Sequence, residues 1–177
     1  ENKLSAAEPI KVAELPKVAV FPMGQHIGAP AVPCVQKGDK VKVGTQIGKP
    51  MEKALSTSIF SSVSGTVLKV DTVVDASGYK KPAVYITVEG DEWEESIDRT
   101  DKLVTLKDKP ELTPEEIIEK VKNAGVVGMG GACFPTHVKL MPPLQFKPEW
   151  VIINAVECEP YLTADHRLML EKADEVL

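Results

Sequence analysis

Glycines at short, irregular intervals restrict the fold of the first half of this chain more than any other feature. Between residues 17 and 90 they separate short runs that are rich in β-branched side chains. The punctuating glycines are Gly38, Gly44, Gly48, Gly65, Gly78 and Gly90. Such a sequence pattern is typical of short strands joined by turns. We predict strands at Val18–Phe21, Lys40–Val43, Thr66–Val74 and Ala83–Val88, which together make a small all-β unit of the barrel or sandwich type.

The hydrophobic period changes after residue 112. Thr113 is followed by Pro114 and, three residues on, by Glu116, which is the pattern of a capping box with proline in the first helical turn. A helix is therefore predicted to begin here and to end at Gly125. Residues 91–112 are charged and irregular, and we interpret them as a linker, whereas residues 1–16 are predicted to be a loose leader.

The last third of the chain has the order helix, loop, strand, loop, helix. Val151–Ile153 is a short apolar run that predicts a buried strand, and Thr163 is predicted to cap a final helix that runs to the chain end. This order is typical of an α/β layer. One strand is too few for a complete sheet, so residues 113–177 are expected to be only the first part of such a domain.

Composition excludes several classes of function. The 177 residues carry a net charge of −5, which argues against nucleic-acid binding, and 43% are apolar, which is enough for a core. Aromatic residues are only 5%, so that core should be mostly aliphatic. The three cysteines are far apart and form no Cys-x-x-Cys pair, which argues against a disulfide framework and against a local metal site. A reducing compartment is expected.

The stretch Gly128–Lys139 has the composition of an anion-binding loop. Three of its first four residues are glycine, and successive amides in a glycine turn form a concave anion site. Lys139 can supply a full positive charge to a phosphate. The loop is not a P-loop, because no Gly-Lys-Ser/Thr follows, and Cys133 stands where a dinucleotide fingerprint needs its last glycine. From the pattern alone it can equally be a tight turn after a helix.

The stretch Asn154–Arg167 directly follows the predicted strand, and ligands of open α/β sheets bind beyond the carboxyl ends of strands. The Asn154 amide can both donate to and accept from the edge of a heterocycle. Glu157 and Glu159 could accept hydrogen bonds from ribose hydroxyls. The alternative interpretation is a surface loop with solvated acids.

These two stretches together resemble the flavin-binding region of the flavin subunit of respiratory complex I. The similarity to the RnfC family of the Rnf electron-transport complex is closer, because Gln25–Pro30 and the small barrel ahead of the flavin region resemble that family too. The resemblance runs from about Val18 to the chain end. It implies a barrel-sandwich hybrid over residues 17–90, like that of biotinyl and lipoyl carriers, followed by the incomplete start of an α/β FMN-binding domain.

The resemblance assigns ligand contacts to individual residues. It implies that FMN is held by Gly128, Gly130, Gly131, Lys139, Asn154 and Glu157. It implies that Phe134 and Glu159 lie beside NADH.

The chain departs from the complex I pattern at two positions. Cys133 replaces a glycine and Val156 replaces an acid, so that acid's flavin contact is absent. We expect Cys133 and Cys158 to be inert, buried, space-filling thiols, the commoner role of an unpaired cysteine.

The function that the resemblance implies is that of an NADH-oxidising flavoprotein subunit in a membrane-bound, ion-translocating NADH:ferredoxin oxidoreductase. Hydride would pass between NADH and FMN, and electrons would continue to iron–sulfur clusters, so the chain needs no catalytic acid or base and no metal ligand of its own. The cysteines that bind 4Fe–4S clusters in this family lie beyond the flavin region. This fragment is therefore expected to be inactive alone and to bind FMN weakly or not at all.

The implied partners are the other subunits of a membrane electron-transport complex, with ferredoxin reached indirectly. The implied location is peripheral, on the cytoplasmic side of the bacterial inner membrane, without a membrane span. A cobalamin reductase-like flavoprotein is an alternative, although its flavin region comes first.

A non-catalytic carrier or docking module is an alternative from a different functional class. The halves Gly38–Ile47 and Ser61–Val67 resemble those of biotinyl and lipoyl carriers, but the modified lysine would fall on Ala54. Lys53 is one residue away, and a one-residue slip reverses the direction of a side chain. A scaffold or docking barrel is thus favoured. His26 has no nearby cysteine or histidine, which favours a turn-stabilising role over a metal site.

Overall fold

The computed structural model describes residues 3–75, 77–100, 112–141, 143, 145, 148–150 and 152–176. Its strands are β1 (Val18–Pro22), β2 (Val32–Pro33), β3 (Lys40–Val41), β4 (Gln46–Lys49), β5 (Ile59–Phe60), β6 (Gly65–Val74) and β7 (Lys80–Val88). Its helices are α1 (Pro114–Asn123), α2 (Thr136–Lys139), α3 (Ala164–Glu171) and α4 (Ala173–Val176). The chain divides into a barrel unit, residues 15–142, and a terminal unit, residues 1–14 with 143–177.

The strands form two antiparallel sheets. One sheet has the order β1-β7-β6-β3 and the other the order β2-β4-β5. The β6–β7 pair is a long hairpin whose register shifts between Val67 and Lys69, and such a bulge bends and twists the strand that carries it. The predicted small all-β unit is confirmed, and each of the four predicted strands is present with slightly different ends.

The core lies between the two sheets and takes residues from both. β7 contributes Val84 and Ile86, β6 contributes Val67, and β4 contributes Ile47, all of them almost completely buried. Burial of a side chain of this size stabilises the fold by roughly 1.5–3 kcal/mol. The core is mostly aliphatic, as the composition predicts, with Phe21 as its aromatic member.

Part of the predicted linker contacts the barrel. The amide of Val43 donates to the carbonyl of Glu92, the amide of Glu94 donates to the carbonyl of Val43, and Trp93 bridges to Val43 in parallel. Residues 101–111 of that linker lie outside the described residues.

Helix α1 begins as its sequence predicts. The Thr113 hydroxyl accepts from the amide of Glu116, and the Glu116 carboxylate accepts from the amide of Thr113, which completes the capping box. Hydrogen bonds from the amide and then from the hydroxyl of Thr113 lower the pKa of Glu116 below its usual value, because both favour the ionised carboxylate. The helix gives way at Ala124 and Gly125 to the glycine-rich stretch.

The prediction of a strand at Val151–Ile153 is wrong for its described residues. Ile152 and Ile153 belong to no strand and are 87% and 58% exposed, while Val151 lies outside the described residues. A strand needs a hydrogen-bonded neighbour, and the described residues of the terminal unit offer none. The final helix is also interrupted, because α3 ends at Glu171 and α4 begins two residues later.

Candidate functional site: a lysine-covered glycine loop

The glycine-rich stretch forms a loop that is closed by paired backbone on its two sides. We call this pairing, between residues 126–128 and residues 134–136, the stalk. The amide of Gly128 donates to the carbonyl of Phe134 at 2.9 Å, and Val127 and Pro135 form an antiparallel bridge. The amide of Thr136 then donates to the carbonyl of Val126 at 3.0 Å. The stalk therefore fixes both ends of the loop. The amide of Gly128 is used in this pairing, so it is not available to bind a phosphate, although the sequence pattern suggests that role.

The tip of this loop is open. Met129 to Ala132 are exposed, and in the described part of the chain the amides of Met129, Gly131 and Ala132 have no acceptor. A Cβ built on Gly130 or Gly131 would meet no atom within 4 Å. The exposed backbone at Gly130 and Gly131 therefore leaves room for a close approach by another molecule.

Lys139 folds back over the loop from the end of α2. Its Nζ lies 3.1 Å from the point where a Cβ on Gly128 would stand, and 5.8 Å from the centroid of the Phe134 ring. The glycine, the aromatic ring and the ammonium group of this one segment are thus brought together in space. This arrangement can hold an anion beside a flat apolar surface.

His137 does not add to this positive charge. Its side chain is buried on α2, and burial lowers the pKa of His137, with the nearby Lys122 charge as a smaller cause. Burial therefore favours the neutral imidazole, and Lys139 supplies the full charge next to the loop.

The second predicted motif lies in the terminal unit and is described by itself. The Asn154 Oδ1 accepts from the amide of Val156 at 3.1 Å, which leaves the side-chain NH₂ as a donor. The Glu157 Oε1 accepts from the amide of His166 at 3.0 Å, so this carboxylate sits at the N-terminus of α3. Glu159 is exposed. Ile153 and Ala155, the sequence neighbours of Asn154, line a 300 Å³ cavity together with Met169, Ala173 and Val176, and Asn154 is not among the lining residues.

Thr163 stands at the N-cap of α3, as predicted, but its hydroxyl does not cap the helix. It is buried and pairs with the Ser5 hydroxyl at 2.8 Å, 158 positions away in sequence. Glu157 takes over the capping bond from the His166 amide. A capping residue can thus be placed from local sequence while its hydroxyl partner cannot.

The predicted leader is bound along α3. The Lys3 Nζ donates to the carbonyl of Leu162, and the Arg167 guanidinium donates to the carbonyl of Ala6. The amide of Ile10 donates to the Glu171 carboxylate, which also pairs with Arg167. No sequence pattern signals these contacts, because each joins the first residues of the chain to the last helical segment.

The leader contact should be sensitive to acid. Hydrogen bonds from Arg167 and then from Ile10 lower the pKa of Glu171, so its contribution to the contact is complete above the ordinary pKa of a glutamate. That contribution should disappear as the pH falls through the lowered value, because the carboxyl must then be protonated. We expect the Ile10 amide resonance to shift over this range in NMR spectra. In Glu171→Gln the same resonance should not follow the titration, and an unchanged titration would contradict the assignment.

Two expectations about cysteines need correction. Cys158 is exposed and Cys133 is half-exposed, so neither is the buried, space-filling thiol that was predicted. Cys133 adopts a left-handed backbone, with φ of 49°, which is unusual for a residue other than glycine. The resemblance to complex I implies a glycine at this position, and glycine would adopt this conformation without strain.

The predicted carrier position is the tip of the β4–β5 hairpin, where Lys53 and Ala54 are both exposed. The carbonyl of Leu55 accepts from the amide of Ala29, so the hairpin is tied to the segment Gln25–Pro30. His26 in that segment is buried, and its Nδ1 donates to the carbonyl of Ile27 at 3.1 Å, in line with a turn-stabilising role.

Among the helices that the structure describes, none has the length and apolar character needed to cross a membrane.

Comparison with known families matches both parts of the chain. Residues 1–91 match the RnfC barrel sandwich hybrid domain. Residues 121–177 match the Nuo51 FMN-binding domain, the flavin domain of complex I, which confirms the predicted start of such a domain. The glycine loop and the second motif both fall inside the second match.

Curated relatives are similar over nearly the whole chain, and each is the C subunit of an oxidoreductase complex. That of the proton-translocating ferredoxin:NAD(+) oxidoreductase complex of Clostridium ljungdahlii is 44% identical over 99% of the chain. That of the Na(+)-translocating complex of Acetobacterium woodii is 43% identical over 99%, and that of the ion-translocating complex of Pseudomonas aeruginosa is 38% identical over 98%. The chain spans 37%, 39% and 22% of these relatives.

Proposed function

Because this chain belongs to the RnfC family, we propose that it is the N-terminal part of a flavoprotein subunit of an ion-translocating ferredoxin:NAD(+) oxidoreductase. The whole subunit would exchange electrons with NADH through FMN and 4Fe–4S clusters. Two domain matches support this proposal, together with the similarity to curated relatives over nearly the whole chain. We place the clusters in the part of the subunit beyond the 37–39% that this chain represents.

The observation that carries the proposal is the position of the Lys139 ammonium over an exposed glycine loop. The open amides of Met129, Gly131 and Ala132 and the charge of Lys139 fit the phosphate of FMN, which is an anion with several acceptor oxygens. The empty space around Gly130 and Gly131 fits a ligand that approaches the backbone closely. Phe134 provides a ring surface next to the charge.

The chain's own residues would bind and orient the reactants. When bound, FMN supplies a ring that accepts a hydride and releases electrons singly. We assign Gly130, Gly131 and Lys139 to its phosphate, and Gly128 to the closure of the loop that holds it.

The assignments in the second motif rest on the resemblance to complex I. Asn154 and Glu157 are assigned to FMN, and Phe134 and Glu159 to NADH. Since hydride transfer needs the two rings held face to face rather than a strong acid or base, no catalytic side chain is assigned.

The proposed setting is a multisubunit complex, with ferredoxin reached through other subunits. The relatives are all named as subunits of translocating complexes, which supports such partners. We place the protein peripherally on the cytoplasmic side of the bacterial inner membrane.

A titration with two flavins tests the phosphate assignment. FMN added to the ¹⁵N-labelled chain is expected to shift the amide resonances of Met129 to Ala132. Riboflavin, which lacks the phosphate, should shift them far less. The affinity for FMN is expected to be weak because the chain is part of a longer subunit. Equal shifts with both flavins, or none at the loop with FMN, would remove the basis of the phosphate assignment.

A further inference from the structure

We propose that the barrel positions the glycine loop for its ligand, so that residues Ile27 and Phe60 of the barrel set the affinity of a site they do not touch. This inference rests on the proposed function, since it assigns the barrel a role in flavin phosphate binding. It gives the barrel a task other than that of a carrier. The contacts that support it all lie inside the barrel unit.

The first anchor is a hydrogen bond at the end of the loop tip. The amide of Ile27 donates to the carbonyl of Ala132 at 3.2 Å. Ile27 is itself held in place, because the amide of Ala29 donates to the carbonyl of Leu55 at 2.9 Å. The donor thus belongs to a turn that is fixed to the β4–β5 hairpin.

The second anchor is a close approach at the start of the loop. Gly125 has φ of +66°, and a Cβ there would lie 2.7 Å from the carbonyl oxygen of Ser58 and 3.0 Å from the Phe60 ring. Only glycine permits both the backbone conformation and this distance. The segment that enters the loop therefore lies directly against β5.

A cavity separates these two anchors. Its volume is 210 Å³, and its lining residues come from the barrel, including His26 and Phe60, and from the loop, including Met129 and Cys133. The loop is therefore attached at its entrance and near its end but is not packed into the barrel between them. The intervening amides stay exposed while their positions are restricted.

This arrangement has a thermodynamic consequence for binding. Ordering a free loop on a ligand costs conformational entropy for each residue that becomes fixed. When the barrel fixes the loop before the ligand arrives, that cost is already met and the ligand binds more tightly. Loosening either anchor should weaken phosphate binding without removing any group that touches the phosphate.

The test compares two glycine substitutions in the chain. Gly125→Ala introduces a methyl group into Ser58 and Phe60, whereas Gly78→Ala imposes a similar left-handed strain, at φ of +81°, with no atom within 4 Å. Hydrogen exchange of the Ile27 and Gly128 amides reports the loop without any ligand, and the Val84 and Ile86 amides report the barrel. FMN titration by NMR reports the site.

We expect Gly125→Ala to accelerate exchange of the Ile27 and Gly128 amides by about tenfold or more and to raise the dissociation constant for FMN severalfold. Gly78→Ala should do neither, and the Val84 and Ile86 amides should stay protected in both variants. Unchanged exchange at Ile27 and Gly128 in Gly125→Ala would overturn the inference. So would faster exchange of these amides without weaker FMN binding.

If Gly125→Ala also accelerates exchange of the Val84 and Ile86 amides, the barrel itself is destabilised. The variant Phe60→Leu then decides whether the anchor exists. It withdraws the ring from Gly125 but keeps an apolar side chain on β5. Faster exchange at Gly128 then supports the anchor, and unchanged exchange overturns it. If the unmodified chain shows no response to FMN, the assignment of its loop to the flavin phosphate fails for this chain, whereas the exchange comparison still decides whether the barrel positions the loop.

Discussion

Replacement of Gly65 by alanine is expected to destabilise the barrel strongly. Gly65 opens β6 and has φ of +154°, a conformation that side chains disfavour. An added Cβ would lie 2.0 Å from the carbonyl oxygen of Thr87, which belongs to the neighbouring strand β7. Because the obstacle is backbone, relief requires separation of the β6–β7 pair. We expect a loss of roughly 3 kcal/mol or more in the free energy of unfolding.

Gly38→Ala is the matched control. Gly38 also has a positive φ, of +95°, but its Cβ would meet no atom within 4 Å. It should therefore lose only about 1–2 kcal/mol, the cost of the left-handed backbone alone. Urea unfolding followed by circular dichroism measures both, with amide exchange in β6 and β7 to identify the barrel. Equal losses in the two variants would show that the contact with Thr87 has no energetic weight.

The barrel was predictable where the signals were local. The β-branched runs of β6 and β7 and the capping box at Thr113 each depend on neighbours in sequence, and all three appear in the structure. The strands β2 and β5 were missed because each has only two residues. β4 was missed because Gly48 interrupts its apolar pattern.

Predictions failed where a partner was distant. The apolar run at Ile152 and Ile153 looks like a strand, but strand formation depends on a neighbour that local sequence does not report. Local sequence predicts that the Thr163 hydroxyl caps its own helix, but it pairs with the Ser5 hydroxyl. The position of the leader along α3 likewise depends on hydrogen bonds between residues that lie far apart in the chain, such as Ile10 and Glu171.

The residues of the glycine loop can be identified from the sequence, but the backbone geometry of the loop cannot be predicted from it. Sequence could place three glycines, Phe134 and Lys139 in one segment, and the structure brings the Lys139 ammonium back to Gly128. It could not reveal that the Gly128 amide closes the loop on Phe134 or that Ile27 holds Ala132. The run Gln25–Pro30 is the available signal for the second contact, but its sequence indicates only a turn and a resemblance to the RnfC family.

Loss of the Lys139 charge is expected to have the largest effect on ligand binding. A hydrogen bond to a charged group contributes about 1.5–3 kcal/mol, so Lys139→Ala should raise the dissociation constant for FMN roughly ten- to a hundredfold. Riboflavin binding should change little, because it lacks the phosphate. Lys139→Arg keeps the charge and should retain part of the affinity, although its planar group fits a different geometry.

The control for this substitution removes a lysine elsewhere. Lys53→Ala changes the net charge by the same amount at the β4–β5 tip, so it separates a local ammonium contact from the general field of the protein. FMN and riboflavin titrations of the three variants, followed at the amides of Met129 to Ala132, measure the effect. Added salt should narrow the difference between Lys139→Ala and the unmodified chain, because it screens an exposed charge. If Lys53→Ala weakens FMN binding as much as Lys139→Ala does, the phosphate is not held by the ammonium group over Gly128.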